Sequence, residues 1–182
     1  MTRSDQAILD RLENKAVHYL GRYASTAQRL ELVLSRFARR KLADEDPDRL
    51  ADLISRKVEE CRARGYVDDR AFAEARSTSL RRQGASINNI RRKLAERGVD
   101  RDVITDVIDA QDTSDDAELR AALIHAKRRR LGPYANADNL REGWQSRHLG
   151  SLARAGFSSV IARRVMAFDD IDSVEAWLAE QD

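Results

Sequence analysis

The strongest candidate for metal chemistry is the carboxylate pair Asp68 and Asp69, because two adjacent Asp side chains can supply oxygen ligands to Mg²⁺. The pair follows Gly65 and Tyr66 and precedes Phe72. At that point a helix needs a capping side chain and negative charge at its amino end. We therefore interpret the two carboxylates as helix-capping groups and expect no metal site.

Other catalytic groups are sparse. The single cysteine, Cys61, continues an apolar stripe with Ile54 and Val58, which predicts a buried thiol and no nucleophile. The three histidines lie far from it along the chain, so no metal-ligand spacing exists. The sequence contains no P-loop, no Gly-x-Ser-x-Gly elbow and no Gly-x-Gly-x-x-Gly turn. We expect a protein without catalytic activity and without a cofactor.

An aromatic residue and a histidine share one predicted helix face, since Trp144, His148 and Leu152 follow each other at spacings of four. This spacing favours Trp144 as a core or inter-repeat contact over a base-stacking platform. His148 is expected to be a partly buried structural histidine.

Basic residues are the more informative group. The chain carries 33 Lys and Arg against 31 Asp and Glu, a net charge of +2, and 28 of the 33 are Arg. Arg grips phosphates and carboxylates with a planar fork of donors, so this bias fits an anion-binding surface, with coding bias as the alternative explanation. The basic residues are concentrated in three parts of the chain: Arg36, Arg39, Arg40 and Lys41; Arg76, Arg81, Arg82, Arg91, Arg92, Lys93, Arg97 and Arg101; and Lys127, Arg128, Arg129 and Arg130.

The second concentration has the largest charge excess, because only Glu96 and Asp100 oppose its eight basic residues. On helical spacing, Arg91, Lys93 and Arg97 face away from the apolar stripe of their helix, which would present a basic surface to phosphates or to an acidic protein. A solvated face is the alternative, and the helix dipole by itself favours cations near helix carboxyl ends. The predicted partner- or DNA-binding residues are Arg76, Arg81, Arg82, Arg91, Arg92, Lys93, Arg97, Lys127, Arg128, Arg129 and Arg130.

The composition predicts an all-α fold. Hydrophobic residues make up 42% and aromatic residues 5% of the chain, and two prolines and eight glycines are too few for the turns of an all-β protein. Apolar residues recur at spacings of three and four between Ser, Thr or Asp caps and Gly stops. We expect helices at residues 7–22, 26–41 and 47–64, three short helices between 69 and 111, and helices at 115–130, 138–155, 159–168 and about 174–180.

Two sequence echoes indicate that these helices form repeats. The cap and apolar stripe that begin at Ser86 match those that begin at Thr26, and the pattern around Gly98 matches the pattern around Gly156. Repeats of this kind bury little alone and stack on their neighbours. We predict three tandem three-helix repeats in an elongated, curved array, at residues 1–64, 65–112 and 113–182, the last with a short C-terminal helix.

The middle repeat contains Gly-Tyr-Val-Asp-Asp-Arg-Ala-Phe-Ala-Glu at residues 65–74, Arg-Arg-Gln-Gly at 81–84 and Ile-Arg-Arg-Lys-Leu-Ala-Glu-Arg-Gly-Val at 90–99. In this combination the segments resemble the RecX family of bacterial recombination regulators. The strong match covers residues 65–108, and weaker similarity extends over 16–40 and 149–165. The family's motif positions are expected to be caps, stops and core residues and not partner contacts: Gly65, Tyr66, Asp68, Asp69, Phe72, Gly84, Ile90, Leu94 and Gly98.

The resemblance implies a cytoplasmic protein of tandem three-helix repeats that binds the RecA recombinase filament in its helical groove. Such a protein would inhibit the ATPase, strand-exchange and coprotease activities of RecA and damp the SOS response. Binding of single- or double-stranded DNA, which has also been associated with the family, stays open as a second interaction. The residues themselves leave two alternatives, a sequence-independent DNA-binding helical protein and a helical scaffold for another protein.

Two further expectations concern location and the third repeat. No apolar run approaches the roughly 18 residues of a membrane span, and the amino terminus does not resemble a signal peptide, so we expect a cytoplasmic monomer without a membrane partner. Residues 131–139 depart from the family pattern and predict a loop after the first helix of the third repeat. Whether Tyr134 in that loop is exposed to a partner stays open.

Overall fold

The chain is all helical where its structure is described. The computed structural model describes residues 4–136 and 142–181, and these residues form ten α-helices and no strand. A short 3-10 helix, Gly132–Tyr134, lies between the seventh and eighth α-helices. The helices are α1 (Asp5–Leu20), α2 (Ala27–Lys41), α3 (Pro47–Ala63), α4 (Asp69–Arg82), α5 (Ile87–Ala95), α6 (Arg101–Asp109), α7 (Asp115–Arg129), α8 (Trp144–Arg154), α9 (Ser159–Met166) and α10 (Ile171–Ala179).

Local capping explains where these helices begin. Thr26 Oγ1 accepts a hydrogen bond from the Arg29 amide at 3.2 Å, and Ser114 Oγ accepts one from the Ala117 amide at 3.2 Å, so each satisfies a free amide of the first turn. The tail helix begins three residues before the predicted position, because Asp170 and Ser173 form a capping box. The predicted start of α8, residue 138, lies outside the described residues.

The helices divide into two compact units. Unit 1 comprises residues 1–74 and 95–104. Its core is a cluster of mainly aliphatic side chains from α1, α2, α3 and the residues after them, in which the largest fully buried members are Ile8, Leu12, Leu30, Leu34 and Leu42. The apolar stripes predicted from the sequence therefore meet in one interior, since each helix buries the face on which its Leu and Ile residues recur.

Unit 2 comprises residues 75–94 and 105–182. A second aliphatic cluster joins α7, α8, α9 and α10, and Leu119, Leu123, Leu152 and Val174 are almost completely buried in it. The helices predicted to form the middle repeat, residues 65–112, are divided between the units, because α4 up to residue 74 and the segment 95–104 belong to unit 1 and the remainder belongs to unit 2.

The predicted sequence echoes correspond to equivalent hydrogen bonds in the two units. In unit 1, the capping hydroxyl of Thr26 also donates to the Arg97 carbonyl oxygen at 2.5 Å. In unit 2, the capping hydroxyl of Ser86 donates to the Ala155 carbonyl oxygen at 2.7 Å. We call each of these contacts a hydroxyl link. Each joins the amino end of one repeat's middle helix to the carboxyl end of the next repeat's middle helix.

A carboxylate supports each hydroxyl link. Asp69 Oδ1 accepts a hydrogen bond from the Ala27 amide at 2.8 Å, at the first residue of α2. Glu118 Oε1 accepts one from the Ile87 amide at 3.1 Å, at the first residue of α5. Both carboxylates come from the first helix of the following repeat, and negative charge at a helix amino end is favoured by the helix dipole. The recurrence of the whole arrangement agrees with a helical repeat architecture.

Candidate protein and nucleic-acid interface

The α5 helix separates its apolar and basic residues cleanly. Ile87, Ile90 and Leu94 are buried, whereas Arg91 and Arg92 are exposed. Neighbouring positions along a helix point about 100° apart, so the short sequence that anchors α5 by one stripe must also display these guanidinium groups on the opposite side. No acidic residue lies within α5, and its surface is therefore strongly positive.

We call this surface the α5 basic face and define it as Arg91, Arg92 and Lys93, all of which belong to unit 2. Lys93 is half-buried, so part of its aliphatic stem is covered. Arg92 Nη2 donates to Asn89 Oδ1 at 3.3 Å, which holds its guanidinium along the helix surface. Arg97 lies in the turn after α5 and its side chain is exposed, while its carbonyl oxygen is occupied by the Thr26 hydroxyl link.

The three predicted basic residues of α4 have different environments. Arg76 is half-buried and Arg82 is exposed. Arg81 keeps only 18% of its side chain exposed, and its Nη1 contacts Glu118 Oε1 at 2.5 Å and the Ala85 carbonyl oxygen at 3.2 Å. Arg81 is therefore engaged inside unit 2, where it neutralises the carboxylate that caps α5.

The run from Lys127 to Arg130 closes α7, and all four of its side chains are exposed. Arg130 adopts a left-handed conformation with φ of 54° at the helix end. Arg128 Nη1 donates to the Gln83 carbonyl oxygen at 2.6 Å, so this guanidinium also supports the turn after α4. The cations of this run lie where the helix dipole stabilises them, which supplies a structural reason for the run alongside the predicted binding role.

The carboxylate pair at residues 68 and 69 serves two helices. Asp68 Oδ1 accepts from the Ala71 amide at 2.8 Å and caps α4, as the sequence predicts. Asp69 supports the amino end of α2 and lies 3.8 Å from an Arg62 guanidinium nitrogen. Among the described residues, no group of three or more His, Cys, Asp or Glu side chains is arranged to hold a metal ion.

The remaining motif positions are mostly structural. Ile90 and Leu94 are completely buried and Phe72 is half-buried. Gly65, Gly84 and Gly98 all have positive φ values after helix ends, as expected for helix stops. The Tyr66 side chain is 56% exposed and is therefore not a core residue, but its amide donates to the Cys61 carbonyl oxygen at 2.9 Å and so takes part in the stop at the end of α3.

The candidate reactive side chains are held inside the fold. Cys61 is buried, and burial raises the pKa of its thiol, which disfavours the nucleophilic thiolate. His148 is buried, its Nδ1 accepts from the Gly132 amide at 3.1 Å, and the Trp144 ring meets it at a centroid distance of 5.2 Å. Tyr134 is half-buried in the 3-10 helix. Cys61 is thus buried, as predicted, and His148, which was expected to be partly buried, is buried as well.

Sequence reasoning missed two polar clusters. Lys57 is buried on α3, and its Nζ contacts Glu13 Oε2 and Glu60 Oε2, each at 2.6 Å. Burial opposes the charged form of Lys57, but the two carboxylates outweigh it and raise the pKa of the amine. The i,i+3 spacing of Lys57 and Glu60 gives a local signal, whereas nothing local marks Glu13 as a partner.

The second missed cluster lines a cleft of about 740 Å³ in unit 2. Arg81 and Arg82 from the predicted basic set line it, and so do Arg120 of α7 and Trp177 of α10. Arg120 and Trp177 carry no local sequence signal for a site, because their proximity depends on how α7 and α10 pack.

None of the described helices is long and apolar enough to cross a lipid bilayer.

Comparisons with known proteins agree with this architecture. The family model of the RecX second three-helix domain matches residues 68–108. A Regulatory protein RecX from Myxococcus xanthus is 38% identical over 157 residues, covering 85% of this chain and 83% of that protein. A Regulatory protein RecX from Agrobacterium fabrum is 32% identical over 154 residues, covering 85% of this chain and 80% of that protein.

A solved structure supports the fold. The crystal structure of RecX from Lactobacillus salivarius matches with a TM-score of 0.66 and covers 88% of this chain and 96% of that chain. At 18% identity this likeness shows the fold alone. The two curated relatives carry the family assignment, because both exceed 30% identity over most of their length. The chain belongs to the RecX family of regulatory proteins.

Proposed function

We propose that this protein is a non-catalytic regulator that binds the RecA nucleoprotein filament and inhibits its ATPase, strand-exchange and coprotease activities. It would thereby modulate DNA repair and the SOS response. The observation that carries the proposal is the match, over 85% of this chain, to two proteins named Regulatory protein RecX. We place the protein in the cytoplasm, where it acts as a monomer without a cofactor.

The α5 basic face supports this proposal as the contact surface. Its guanidinium groups suit both carboxylates on a protein and phosphates on bound DNA, and a filament formed on DNA presents both. Because α5 is anchored by fully buried Ile90 and Leu94, its basic groups are displayed from a fixed helix. Arg97, Arg76 and the run from Lys127 to Arg130 are proposed as additional contacts.

Multiple contacts explain how modest local affinity would suffice. If the repeats at residues 1–64, 65–112 and 113–182 engage neighbouring filament subunits, each contact after the first becomes intramolecular and gains from a high effective concentration. Loss of one repeat would then lower the affinity far more than in proportion to its area.

The test is DNA-dependent ATP hydrolysis by RecA with this protein titrated in. We expect inhibition by the wild-type chain and weaker inhibition by the double variant Arg91→Glu and Arg92→Glu. The matched control is Arg39→Glu with Arg40→Glu, which makes the same charge change at two exposed positions near the end of α2. Thermal unfolding of all three proteins should be similar, because exposed substitutions usually change stability by about 0.5 kcal/mol or less.

Absence of inhibition at a several-fold excess of wild-type protein over RecA would reject the proposed function. Equal weakening by both double variants would retain RecA binding but remove α5 as its specific surface. A large fall in the melting temperature of the α5 variant would mean that Arg91 and Arg92 are structural.

Sequence-independent DNA binding is the second candidate, favoured by the exposed arginines of α5 and the exposed run from Lys127 to Arg130. It predicts tight binding to DNA without RecA, with affinity falling steeply as salt increases because bound counterions are released from the phosphates. Fluorescence anisotropy with labelled single- and double-stranded oligonucleotides across a salt series would measure it. If both this assay and the RecA assay fail, a helical scaffold for another protein is the remaining interpretation.

A further inference from the structure

One flank of α1 carries a row of basic side chains. Arg11, Lys15, His18 and Arg22 follow each other at spacings of four, three and four, which places them beside the buried stripe of the same helix. The row continues past the end of α1, because the Arg22 amide still donates to the Tyr19 carbonyl oxygen at 3.1 Å. Arg11 and Lys15 are half-buried, so their aliphatic stems cover the core and their charged ends reach water, and Arg22 is exposed. We call Arg11, Lys15 and Arg22 the α1 strip.

The three cations of the α1 strip have no partner among the described residues, since none of their side chains forms a hydrogen bond or an ion pair there. The carboxylates of the same helix are engaged with other groups: Asp5 pairs with Arg49, Asp10 accepts from Gln6, and Glu13 pairs with Lys57 and Arg64. The strip therefore keeps its positive charge for an anion from outside the chain.

An exposed aromatic ring stands at the end of the α1 strip. Tyr23 directly follows Arg22, and 58% of it is exposed. Its ring packs against Tyr19 at a centroid distance of 5.4 Å and an interplanar angle of 39°. Tyr19 is itself fixed, because it packs against the core of unit 1 and its hydroxyl accepts a hydrogen bond from the buried Ser25 Oγ at 3.3 Å. The Tyr23 ring is thus held by its neighbour while more than half of the residue stays accessible.

Cations in a row beside an exposed aromatic ring suit a single strand of nucleic acid. In single-strand sites, cations follow the phosphates and bases stack on aromatic rings, with little dependence on base sequence. From Arg11 to Arg22 the helix rises about 16 Å, at about 1.5 Å per residue. This length corresponds to about five nucleotides of a stacked strand, at about 3.4 Å each. Interior bases of a duplex are already stacked and paired, so they cannot cover the Tyr23 ring.

We propose that the α1 strip and Tyr23 bind a single strand of nucleic acid in unit 1. The phosphates lie along Arg11, Lys15 and Arg22, and one unpaired base stacks on the Tyr23 ring. The inference goes beyond the proposed function, because the α5 basic face belongs to unit 2 and binding at the α1 strip does not need RecA.

A protein partner fits this flank less well. The centre of a protein interface is apolar and depleted of charged residues. Among residues 5–23, the large exposed hydrophobic residues are Val17 and Tyr23, and Val17 lines a small cavity with Glu13 and Tyr66 on another side of α1. Within this segment the cations are therefore accompanied by the Tyr23 ring alone, which suffices for one base and not for the apolar centre of an interface.

Tyr66 provides a matched comparison within the same unit. It is 56% exposed, almost as much as Tyr23, but the cavity that it lines contains two cations, Lys57 and Arg64, that are already paired with carboxylates. No cation that lines this cavity is left to hold a phosphate. A nucleic-acid strand should therefore cover Tyr23 and leave Tyr66 unchanged.

Fluorine NMR tests the proposal at single rings. The full chain carries 3-fluorotyrosine at its four tyrosines, and Tyr23→Phe and Tyr66→Phe assign the two resonances. The probe is hexathymidylate, and the matched probes are a hexanucleotide backbone without bases and a closed hairpin duplex. We expect hexathymidylate to shift the Tyr23 resonance upfield, since a stacked base shields it, and to leave Tyr66 in place. The strand without bases should bind at the Tyr23 site at least about fivefold more weakly.

Two charge variants assign the phosphates to the α1 strip. Arg22→Gln, and Lys15→Gln combined with Arg22→Gln, should weaken hexathymidylate binding progressively, and the slope of log affinity against log salt should fall by about 0.7 for each cation removed. Arg56→Gln with Arg70→Gln is the matched control, because it removes two charges from exposed positions of unit 1 outside the strip. Arg22 is exposed, so its single variant retains the fold even if the double variant reduces stability.

Four results would overturn the proposal. They are an unchanged Tyr23 resonance at millimolar hexathymidylate, equal shifts of Tyr23 and Tyr66, equal binding of the strand without bases or of the duplex, and unchanged affinity in both charge variants. A shift of Tyr23 by hexaglutamate but not by hexathymidylate would also overturn it and identify a protein site. The RecA ATPase assay gives a separate answer. Inhibition without a Tyr23 response removes this inference and retains the proposed function, and a Tyr23 response without inhibition does the reverse.

Discussion

His148 shows how one buried side chain links stability to pH. Its Nδ1 accepts a hydrogen bond from the Gly132 amide, so the ring must be neutral with its proton on Nε2. Burial lowers the pKa of His148, and the charge of Arg147 lowers it further. Protonation of Nδ1 would remove the acceptor that holds the start of the 3-10 helix.

We expect the protein to lose stability as the pH falls from 7 to 5. In the unfolded chain His148 titrates near its ordinary pKa of about 6.5, whereas in the folded chain it titrates lower, so below this pH the unfolded state binds more protons and is favoured. Urea unfolding at several pH values should show a flatter dependence in His148→Gln, because glutamine keeps an acceptor but does not titrate.

The exposed His18 allows the same substitution, His18→Gln, as a control for the change of residue type. His125 contributes in the same direction, since burial and the nearby Arg129 and Arg128 lower its pKa. An identical slope in wild type and His148→Gln would show that the buried ring does not set the acid sensitivity.

At the level of elements, Gly84 permits the close approach of α4 and α7. Its φ is +78°, and a Cβ atom there would lie 2.8 Å from the His125 amide nitrogen and 2.9 Å from the Ala121 carbonyl oxygen. Both atoms belong to the backbone of α7 and cannot move aside independently. Gly65 has a similar φ of +72°, but a Cβ atom there would meet nothing within 4 Å.

These two glycines form a matched pair for mutagenesis. Gly65→Ala should cost about 1–2 kcal/mol, which is the penalty for a left-handed residue with a Cβ atom. Gly84→Ala should cost about 3 kcal/mol or more, because overpacking against α7 adds about 1–3 kcal/mol. Chemical unfolding would measure both changes, and equal losses would mean that α7 can move away at no cost.

Local signals explain why much of the fold was predictable. The roles of Ser86 as a helix start and of Gly84 as a helix stop can be predicted from neighbouring residues alone. A hydroxyl before an apolar stripe predicts a helix start, and a glycine after such a stripe predicts a helix end. The predicted start of α8 at residue 138 lies outside the described residues, and α8 is described from Trp144 onward. A cap at Asp68 or Asp69 was predicted from their position before an apolar stripe, and the amide that Asp68 caps is only three residues away.

Contacts between residues that are far apart in the sequence could not be predicted. Glu118 contacts the Ile87 amide and Arg81, which lie 31 and 37 residues away, so no spacing rule identifies it. The sequence gives no reason to separate the basic residues between 76 and 101 into buried and exposed ones. In the structure, Arg81 pairs with Glu118 inside unit 2, whereas Arg82 is exposed. Helical spacing indicates which face a side chain occupies, but the neighbouring helix decides whether that face is covered.

At the scale of the whole molecule, each of the two hydroxyl links joins two helices through a residue that also caps its own helix. The hydroxyls of Thr26 and Ser86 each accept from their own helix and donate to the carbonyl end of another helix. The third repeat breaks the pattern, because α8 has Gly143 at this position and no side-chain cap. The described residues beyond it contain no further repeat that such a hydroxyl would join.

The hydroxyl links should therefore contribute more than ordinary caps. Removing a capping side chain costs about 1 kcal/mol, and loss of the second, part-buried hydrogen bond adds about 0.5–1.5 kcal/mol. We expect Thr26→Val and Ser86→Ala to destabilise the protein by about 2 kcal/mol, with the smaller loss in Ser86→Ala because Asn89 Nδ2 also donates to the Ala155 carbonyl oxygen, at 3.4 Å. Ser114→Ala removes an exposed cap that joins no second helix, and should cost only about 1 kcal/mol.

Hydrogen exchange would show which helices lose stability in each variant. Thr26→Val should reduce amide protection mainly in α2 and in the turn at Arg97, whereas Ser86→Ala should reduce it mainly in α5 and at the carboxyl end of α8, because each link stabilises the two helix ends it joins. If Ser86→Ala and Ser114→Ala had equal cost and Ser86→Ala left α8 unchanged, the hydroxyl would act as a cap alone. The repeats would then be held by apolar burial and by the carboxylates of Asp69 and Glu118.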